Sequence, residues 1–140
     1  MPSLASTLLT YCLINASHIN HVPPDIVASI LDIEGGKKGS ITINNNGSED
    51  LGPMQINNKV WLNIVSRALF KGDRVKAYHA LLFDPCMNIE IGTWILSINY
   101  KNNKGNIWKA VGEYHSRNSQ LAKDYIRKVQ NIHSKLFPDV

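Results

Sequence analysis

The pattern of apolar and polar positions divides the chain into helical segments separated by short polar breaks. Apolar residues three and four apart predict a first helix over residues 3–18, with Cys12 on its inner face. A second helix is predicted to begin at Pro24, because proline is tolerated in a first helical turn, and to end at Gly35 and Gly36. Five more helices are predicted over residues 58–69, 73–83, 84–100, 106–114 and 119–137, the third of these capped by Asp84.

One stretch alternates with the period of a strand. Ser40-Ile41-Thr42-Ile43 is followed by an Asn-rich turn over residues 44–47, which predicts one small β-hairpin. No repeat or linker interrupts the chain, so we expect a single, mainly α domain spanning residues 1–140. In the helix over residues 58–69, the residues expected to face inward are Val60, Trp61, Ile64, Val65 and Leu69.

Composition places the chain among ordinary globular proteins and narrows its partners only slightly. Of 140 residues, 44% are hydrophobic and 19% charged, and the net charge is +4. This positive charge favours anionic partners, among them nucleic acid, a membrane surface and an acidic polymer such as cell wall. Basic residues of the last helix lack interleaved aromatic residues, which indicates a solvated face rather than a nucleic-acid site. No uninterrupted apolar run approaches the ~18 residues of a membrane span.

The N-terminal segment and the two cysteines bear on the compartment. No Asp, Glu, Lys or Arg precedes Asp25, whereas a signal peptide normally starts with basic residues. We interpret residues 3–18 as a helix of the domain, with any export signal replaced by an expression start. Cys12 and Cys86 are too few for a closed zinc site. Composition leaves two alternatives for them: two buried reduced thiols, or one disulfide in an exported protein.

Glu34 is the leading candidate for chemistry. It follows Leu31 by three residues and Val27 by seven, so it is in phase with buried positions of its helix. Burial and the negative end of the helix dipole would both raise its pKa, and a carboxylic acid that is still protonated near neutral pH can act as a general acid. The alternative is a solvent-facing Glu34 in a fraying last turn.

A compact turn follows the polar loop after Glu34. The run Leu51-Gly52-Pro53-Met54-Gln55-Ile56-Asn57 combines turn formers with apolar residues. Gln55 could hydrogen-bond an amide or hydroxyl of a neutral ligand, and Met54 is expected in the core. Nucleotide-binding, zinc-protease and serine-hydrolase motifs are absent, and we expect neither a cofactor nor a metal.

Four segments in order resemble one known family. They are residues 28–36 with Glu34-Gly35-Gly36, residues 50–57 with Gly52-Pro53-Met54-Gln55, residues 84–89 with Gly92 beyond them, and residues 110–116. The chain resembles the soluble-type lytic transglycosylases, in particular the small branch that serves secretion, conjugation and pilus systems. The resemblance implies a lysozyme-like α+β fold, export to the periplasm, peptidoglycan glycan strands as substrate, and a partner among envelope-spanning machines. We expect a monomer.

The resemblance also assigns roles to individual residues. Glu34 matches the catalytic glutamate, and Tyr114 matches a tyrosine that positions the glutamate or the sugar. Gly35 stands where the family usually has a serine that helps hold substrate, and Pro53 where Leu or Ile is commoner. The residues matching the motif that lines the glycan cleft are Gly52, Met54, Gln55 and Ile56, and Cys12 and Cys86 match a disulfide of this branch.

The implied reaction uses one carboxyl group rather than the usual two. Protonated Glu34 would protonate the glycosidic oxygen between N-acetylmuramic acid and N-acetylglucosamine, the 2-acetamido group would stabilise the anomeric centre, and ionised Glu34 would deprotonate the C6 hydroxyl to close a 1,6-anhydro ring. Glu49 and Asp50 are then expected to serve loop structure or substrate contact. Three alternatives remain: a lysozyme-like hydrolase, a non-catalytic glycan-binding assembly module, and a nucleic-acid-binding protein.

Overall fold

The computed structural model describes residues 4–140, with side chains described from residue 7 onward. This part of the chain is mostly helical with one small antiparallel sheet, as the pattern of the sequence predicts. The predicted first helical residue, Ser3, lies outside the described residues. In chain order the elements are α1 (Leu4–Asn20), α2 (Pro24–Glu34), β1 (Ile41–Ile43), β2 (Glu49–Leu51), β3 (Ile56–Asn57), α3 (Asn58–Leu69), α4 (Arg74–Phe83), α5 (Pro85–Asn102), α6 (Ile107–His115) and α7 (Ser119–Leu136).

Side-chain caps explain where the later helices begin. At each start an Asn or Asp oxygen accepts a hydrogen bond from a backbone N–H three residues on, a group that no residue within the helix can bind. Asp84, predicted as a cap, accepts from the Met87 N–H at 3.0 Å. The other caps of this kind are Asn57 for α3, Asp73 for α4, Asn106 for α6 and Asn118 for α7.

The sheet has one strand more than the sequence predicts. β1 and β2 form the predicted hairpin, with Ile41 opposite Leu51. β3 pairs with the other side of β2, with Leu51 opposite Ile56. A strand of two residues has no period of alternation to detect, so its pairing depends on the turn that returns the chain to β2.

The prediction for the inward face of α3 is wrong in part. Val65 is buried, but Val60, Ile64 and Leu69 are 58%, 43% and 54% exposed. The buried side chains of α3 are Leu62, Val65 and Ser66. This helix carries apolar residues on opposite sides, so the pattern alone does not determine which side packs.

The chain divides into two units. The first combines the chain up to Ile33 with Glu90–Val140. Within it α6 packs on α7, and Gly112 allows the close approach: a Cβ there would lie 2.9 Å from Ile126 Cδ1 and 3.1 Å from Ala122 Cβ. Buried apolar residues of this unit include Leu13, Ala16, Val27, Ile30, Ile95, Leu96, Val111, Tyr125 and Val129.

The second unit is Glu34–Ile89. It contains the sheet, and in it α3 packs on both α4 and the strands β2 and β3. Fully buried side chains here include Leu51, Met54, Leu81 and Ile89. The expectation that residues 1–140 form one domain stays a prediction.

The described helices differ from membrane spans in length or in apolar character. None of them alone is both long and apolar enough to cross a bilayer; α4 and α5 meet the criterion only when joined, and they are bent by 100° at their break.

Candidate active site

Glu34 is the last residue of α2, and its side chain is partly exposed rather than buried as the helical phase predicts. The next residue, Gly35, has φ of +62°, in the left-handed region that commonly ends a helix and that glycine enters without strain. The predicted end of the helix at Gly35 and Gly36 is therefore confirmed. Glu34 is therefore followed by the polar loop rather than by another helical turn.

Gly36 brings the chain after Glu34 against the turn that follows β2. A Cβ on Gly36 would lie 2.0 Å from the carbonyl oxygen of Gly52 and 2.9 Å from that of Pro53. No side chain fits at such distances, so the backbones of the two segments are in direct contact. Two segments that the sequence predicts as parts of one site thus meet at Gly36.

The turn itself needs an unusual backbone. Gly52 and Gln55 have φ of +69° and +54°, and the Gln55 N–H donates to the Gly52 carbonyl oxygen at 3.1 Å. A Cβ on Gly52 would also lie 2.3 Å from Asn88 Nδ2 and 2.6 Å from the Leu81 oxygen. Gly52 is therefore required both by its conformation and by its surroundings.

Asn88 fixes the position of this turn through hydrogen bonds of its side chain. Its side chain is completely buried, and its Oδ1 accepts the Met54 N–H at 2.8 Å. Its Nδ2 donates to the carbonyl oxygens of Leu51 and Leu81, each at 2.8 Å. Asn88 was not predicted to have a role, although one signal in the sequence pointed to it: Asn88 precedes Ile91 and Ile95 by three and seven residues, so it is a polar residue on an apolar helix face.

The side chains of the turn divide into buried and partly exposed groups. Met54 and Ile56 are 0% and 2% exposed. Gln55 is partly exposed, and its amide is engaged within the protein: Nε2 donates to the Gly52 oxygen at 3.1 Å, and Oε1 accepts from the Thr42 hydroxyl. Thr42 therefore links β1 to the turn, a contact that the sequence pattern does not predict because thirteen residues separate the partners.

Glu49 and Asp50, the two carboxylates of β2, are bound within the protein. The Tyr78 hydroxyl donates to Glu49 Oε1 at 2.8 Å, and Asn57 Nδ2 donates to Asp50 Oδ1 at 2.9 Å. Burial, together with the hydrogen bond to Glu49 and the charge of that residue, raises the pKa of Tyr78 above its usual value. These contacts join β2 to α4 and to β3.

Tyr114 lies on α6, in the unit that does not contain Glu34, and is partly buried. Its two neighbours in sequence are held by the same unit. Glu113 Oε2 accepts from Asn103 Nδ2 at 2.8 Å, and the His115 ring stacks on Tyr125 with centroids 4.5 Å apart and planes within 4°. The end of α6 that carries Tyr114 is thereby fixed in orientation.

Both cysteines are disulfide-bonded, which confirms the Cys12–Cys86 bond that the family resemblance implies. Among the residues that the structure describes, no group of His, Cys, Asp and Glu side chains is arranged to hold a metal ion.

Comparison with known proteins gives one family. Residues 11–136 match the family described as Transglycosylase SLT domain. The chain is 31% identical over 134 residues to the invasion protein IagB of Salmonella typhimurium, covering 89% of this chain and 76% of that protein. It is 30% identical over 135 residues to a peptidoglycan-binding-like protein of Escherichia coli O157:H7, covering 89% and 77%. It is 25% identical over 130 residues to protein IpgF of Shigella flexneri, covering 89% and 78%. With its motifs in order and nearly its whole length matched, the chain belongs to the SLT transglycosylase family.

Proposed function

We propose that this protein is a peptidoglycan lytic transglycosylase that uses Glu34 as its single catalytic acid and base. Membership of the SLT family implies lytic transglycosylase activity and peptidoglycan as the polymer bound. The observation that carries the assignment to Glu34 is its position: it ends α2 two residues before the Gly36–Gly52 backbone contact.

Glu34 acts twice in the proposed reaction. Its protonated carboxyl group donates a proton to the β-1,4 glycosidic oxygen between N-acetylmuramic acid and N-acetylglucosamine, and that bond breaks as N-acetylglucosamine leaves. The 2-acetamido group of the muramic acid stabilises the positive anomeric carbon, so no second carboxylate is needed. Ionised Glu34 then takes the proton of the C6 hydroxyl, whose oxygen bonds to the anomeric carbon. The product is a 1,6-anhydro sugar, formed without water.

The turn from Gly52 to Ile56 would form one wall of the glycan cleft. Because Met54 and Ile56 are buried, we propose that they support the wall from inside the protein. We assign direct contact with the sugar to the partly exposed Gln55 and to backbone groups of Gly52. Tyr114 would position the glutamate or the sugar. Gly35 lacks the hydroxyl that the usual family serine offers to substrate, so we expect weaker binding rather than altered chemistry.

We further propose that the protein is exported to the periplasm, where it opens peptidoglycan locally for an envelope-spanning secretion, conjugation or pilus machine. The disulfide supports an oxidising compartment. The family and the name of the relative IagB, an invasion protein, support a role in such an assembly.

Mass spectrometry of digested peptidoglycan tests the reaction. Wild-type protein should release 1,6-anhydro-muropeptides, and Glu34→Gln should lower their rate of release by about 10²–10⁴-fold. Glu90→Gln removes an exposed carboxylate on α5 and should retain the wild-type rate. Wild-type release by Glu34→Gln would refute the catalytic assignment, reducing ends that carry water would identify a hydrolase, and binding without any product would identify a glycan-binding module.

A further inference from the structure

An open groove of about 480 Å³ runs along one side of α4, and its lining includes none of the residues assigned to catalysis. It lies entirely within the unit Glu34–Ile89. We call it the α4 groove and define it by the residues that line it: Phe70, Val75, Lys76, His79, Ala80 and Phe83, with Asp84 at its end.

The α4 groove exposes large apolar side chains, which a helix face in contact with solvent usually lacks. Val75 is 80% exposed and Phe83 is 43% exposed. The Phe83 ring packs against the His79 ring, with centroids 4.8 Å apart and planes tilted by 50°. Removing exposed apolar surface from water is favourable, so an apolar side chain bound between Val75 and Phe83 would be stabilised.

Basic residues border the α4 groove at both ends. Lys71 and Arg74 precede Val75 in the loop and first turn of α4, and Lys76 follows it. At the other end the Gly39 N–H donates to the Leu82 oxygen at 2.7 Å, which places the segment just after Lys37 and Lys38 beside the last turn of α4. All five basic side chains are exposed, and none of them takes part in the ion pairs found among the described residues.

The acidic residues of this region are already engaged. Asp73 Oδ1 accepts the Lys76 N–H at 3.0 Å, and Asp84 Oδ1 accepts the Met87 N–H at 3.0 Å. Each carboxylate therefore caps a helix, and each partly offsets the dipole at that helix start. The border of the α4 groove is therefore net positive, which favours a negatively charged partner.

We propose that the α4 groove binds an acidic peptide segment of a partner protein, which inserts an apolar side chain between Val75 and Phe83 while its carboxylates meet the surrounding basic residues. A glycan fits less well, because Lys76, His79 and Asp84 are the polar side chains of the lining and sugars require many hydrogen bonds. A second copy of the chain fits less well too, because it would bring two positively charged borders together. The proposal does not depend on the role of Glu34.

Nuclear magnetic resonance titration of the isotope-labelled full chain with short synthetic peptides tests this directly. The first peptide alternates glutamate with leucine and phenylalanine, the second replaces glutamate by lysine, and the third replaces the apolar residues by serine. The first should shift amide signals between Phe70 and Phe83 and bind at least about tenfold more tightly than the other two. Its affinity should fall as salt is added, because exposed charges are screened.

Two variants, each with a matched control, separate the apolar contribution to peptide binding from the electrostatic one. Val75→Ser should weaken binding of the first peptide about tenfold, whereas Val140→Ser, at 81% exposure outside the groove, should leave it unchanged. Lys76→Ala should weaken it severalfold and flatten the salt dependence, whereas Lys59→Ala, exposed on α3, should not. All four variants replace exposed side chains, so folding and release of anhydro-muropeptides should stay at the wild-type level.

Several results would overturn the proposal. These are equal binding of all three peptides, signal shifts confined to residues outside 37–39 and 70–84, unchanged affinity in Val75→Ser, or shifts of the groove signals by an N-acetylglucosamine oligomer in place of the acidic peptide. Concentration-dependent shifts of the same signals without any peptide would also overturn it, because they would identify a second copy of the chain as the occupant. Loss of catalysis in Glu34→Gln with intact peptide binding would support both proposals and would show that they are independent of each other.

Discussion

At the scale of single residues, Gly36 has no space for a side chain, although its φ lies outside the left-handed region. Gly36→Ala should therefore destabilise the protein by about 1–3 kcal/mol through overpacking against Gly52, and should lower the rate of peptidoglycan cleavage by displacing the turn. Gly47→Ala is a suitable control, since nothing lies within 4 Å of the added carbon and only backbone strain at φ of +81° opposes it. Urea denaturation of both variants makes the comparison. If Gly36→Ala is as stable as the wild-type protein, the two backbone segments separate easily.

Asn88 gives a second prediction at this scale. Asn88→Ala removes three buried hydrogen bonds, one to the Met54 N–H and two to the carbonyl oxygens of Leu51 and Leu81, so unfolding free energy should fall by about 3 kcal/mol or more. Asn88→Asp keeps the acceptor for Met54 but removes both donors, and it should also destabilise. Asn131→Ala, on the exposed side of α7, should change little. Thermal unfolding of the three variants tests this, and a wild-type midpoint for Asn88→Ala would contradict it.

At the scale of elements, Tyr78 links α4 to β2 through Glu49, and this link has a predictable pH dependence. The pKa of Tyr78 is raised in the folded protein, so its hydroxyl binds the proton more tightly there than in the unfolded chain. The stabilisation is therefore complete below the usual tyrosine pKa of about 10 and is lost as pH rises through the folded value.

Tyr78→Phe should accordingly be less stable than wild type by a constant amount near neutral pH, and the difference should shrink above about pH 10. Urea denaturation across this range measures it. Tyr11→Phe, which changes a 71% exposed tyrosine on α1, serves as the control. A difference that stays constant or grows above about pH 10 would contradict a raised pKa of Tyr78 in the folded protein.

At the scale of the whole molecule, the disulfide joins residues about half the chain length apart and should matter for stability more than any single side chain. Reducing a bond that closes so long a loop should lower the free energy of unfolding by about 4 kcal/mol. We expect the melting temperature to fall by roughly 10 °C or more in reductant.

The double variant Cys12→Ser/Cys86→Ser should melt near the reduced wild type and should not respond to reductant. Differential scanning calorimetry with and without reductant provides the measurement. A wild-type melting curve that reductant leaves unchanged, with two titratable thiols appearing, would mean that the bond contributes nothing to stability.

Local chemistry allowed much of this protein to be predicted from its sequence. Helix starts depend on a cap and the next three residues, and the end of α2 depends on Gly35, so both follow from short stretches of chain. Motif order was sufficient to identify the SLT family, and with it the disulfide. Glu34, Gln55 and Tyr114 as site residues remain predictions, and the Glu34→Gln variant tests the first of them.

Tertiary structure alone decided the remaining features, because each depends on groups distant in sequence. Asn88 binds backbone atoms of Leu51 and Met54, Gly36 meets Gly52, and the two-residue strand β3 exists only through its pairing with β2. In α3, apolar residues on opposite sides left both orientations open until packing buried Leu62 and Val65. Hydrophobic periodicity predicts that one face of a helix is buried. When a helix has two apolar faces, the elements that pack against it decide which of them is buried.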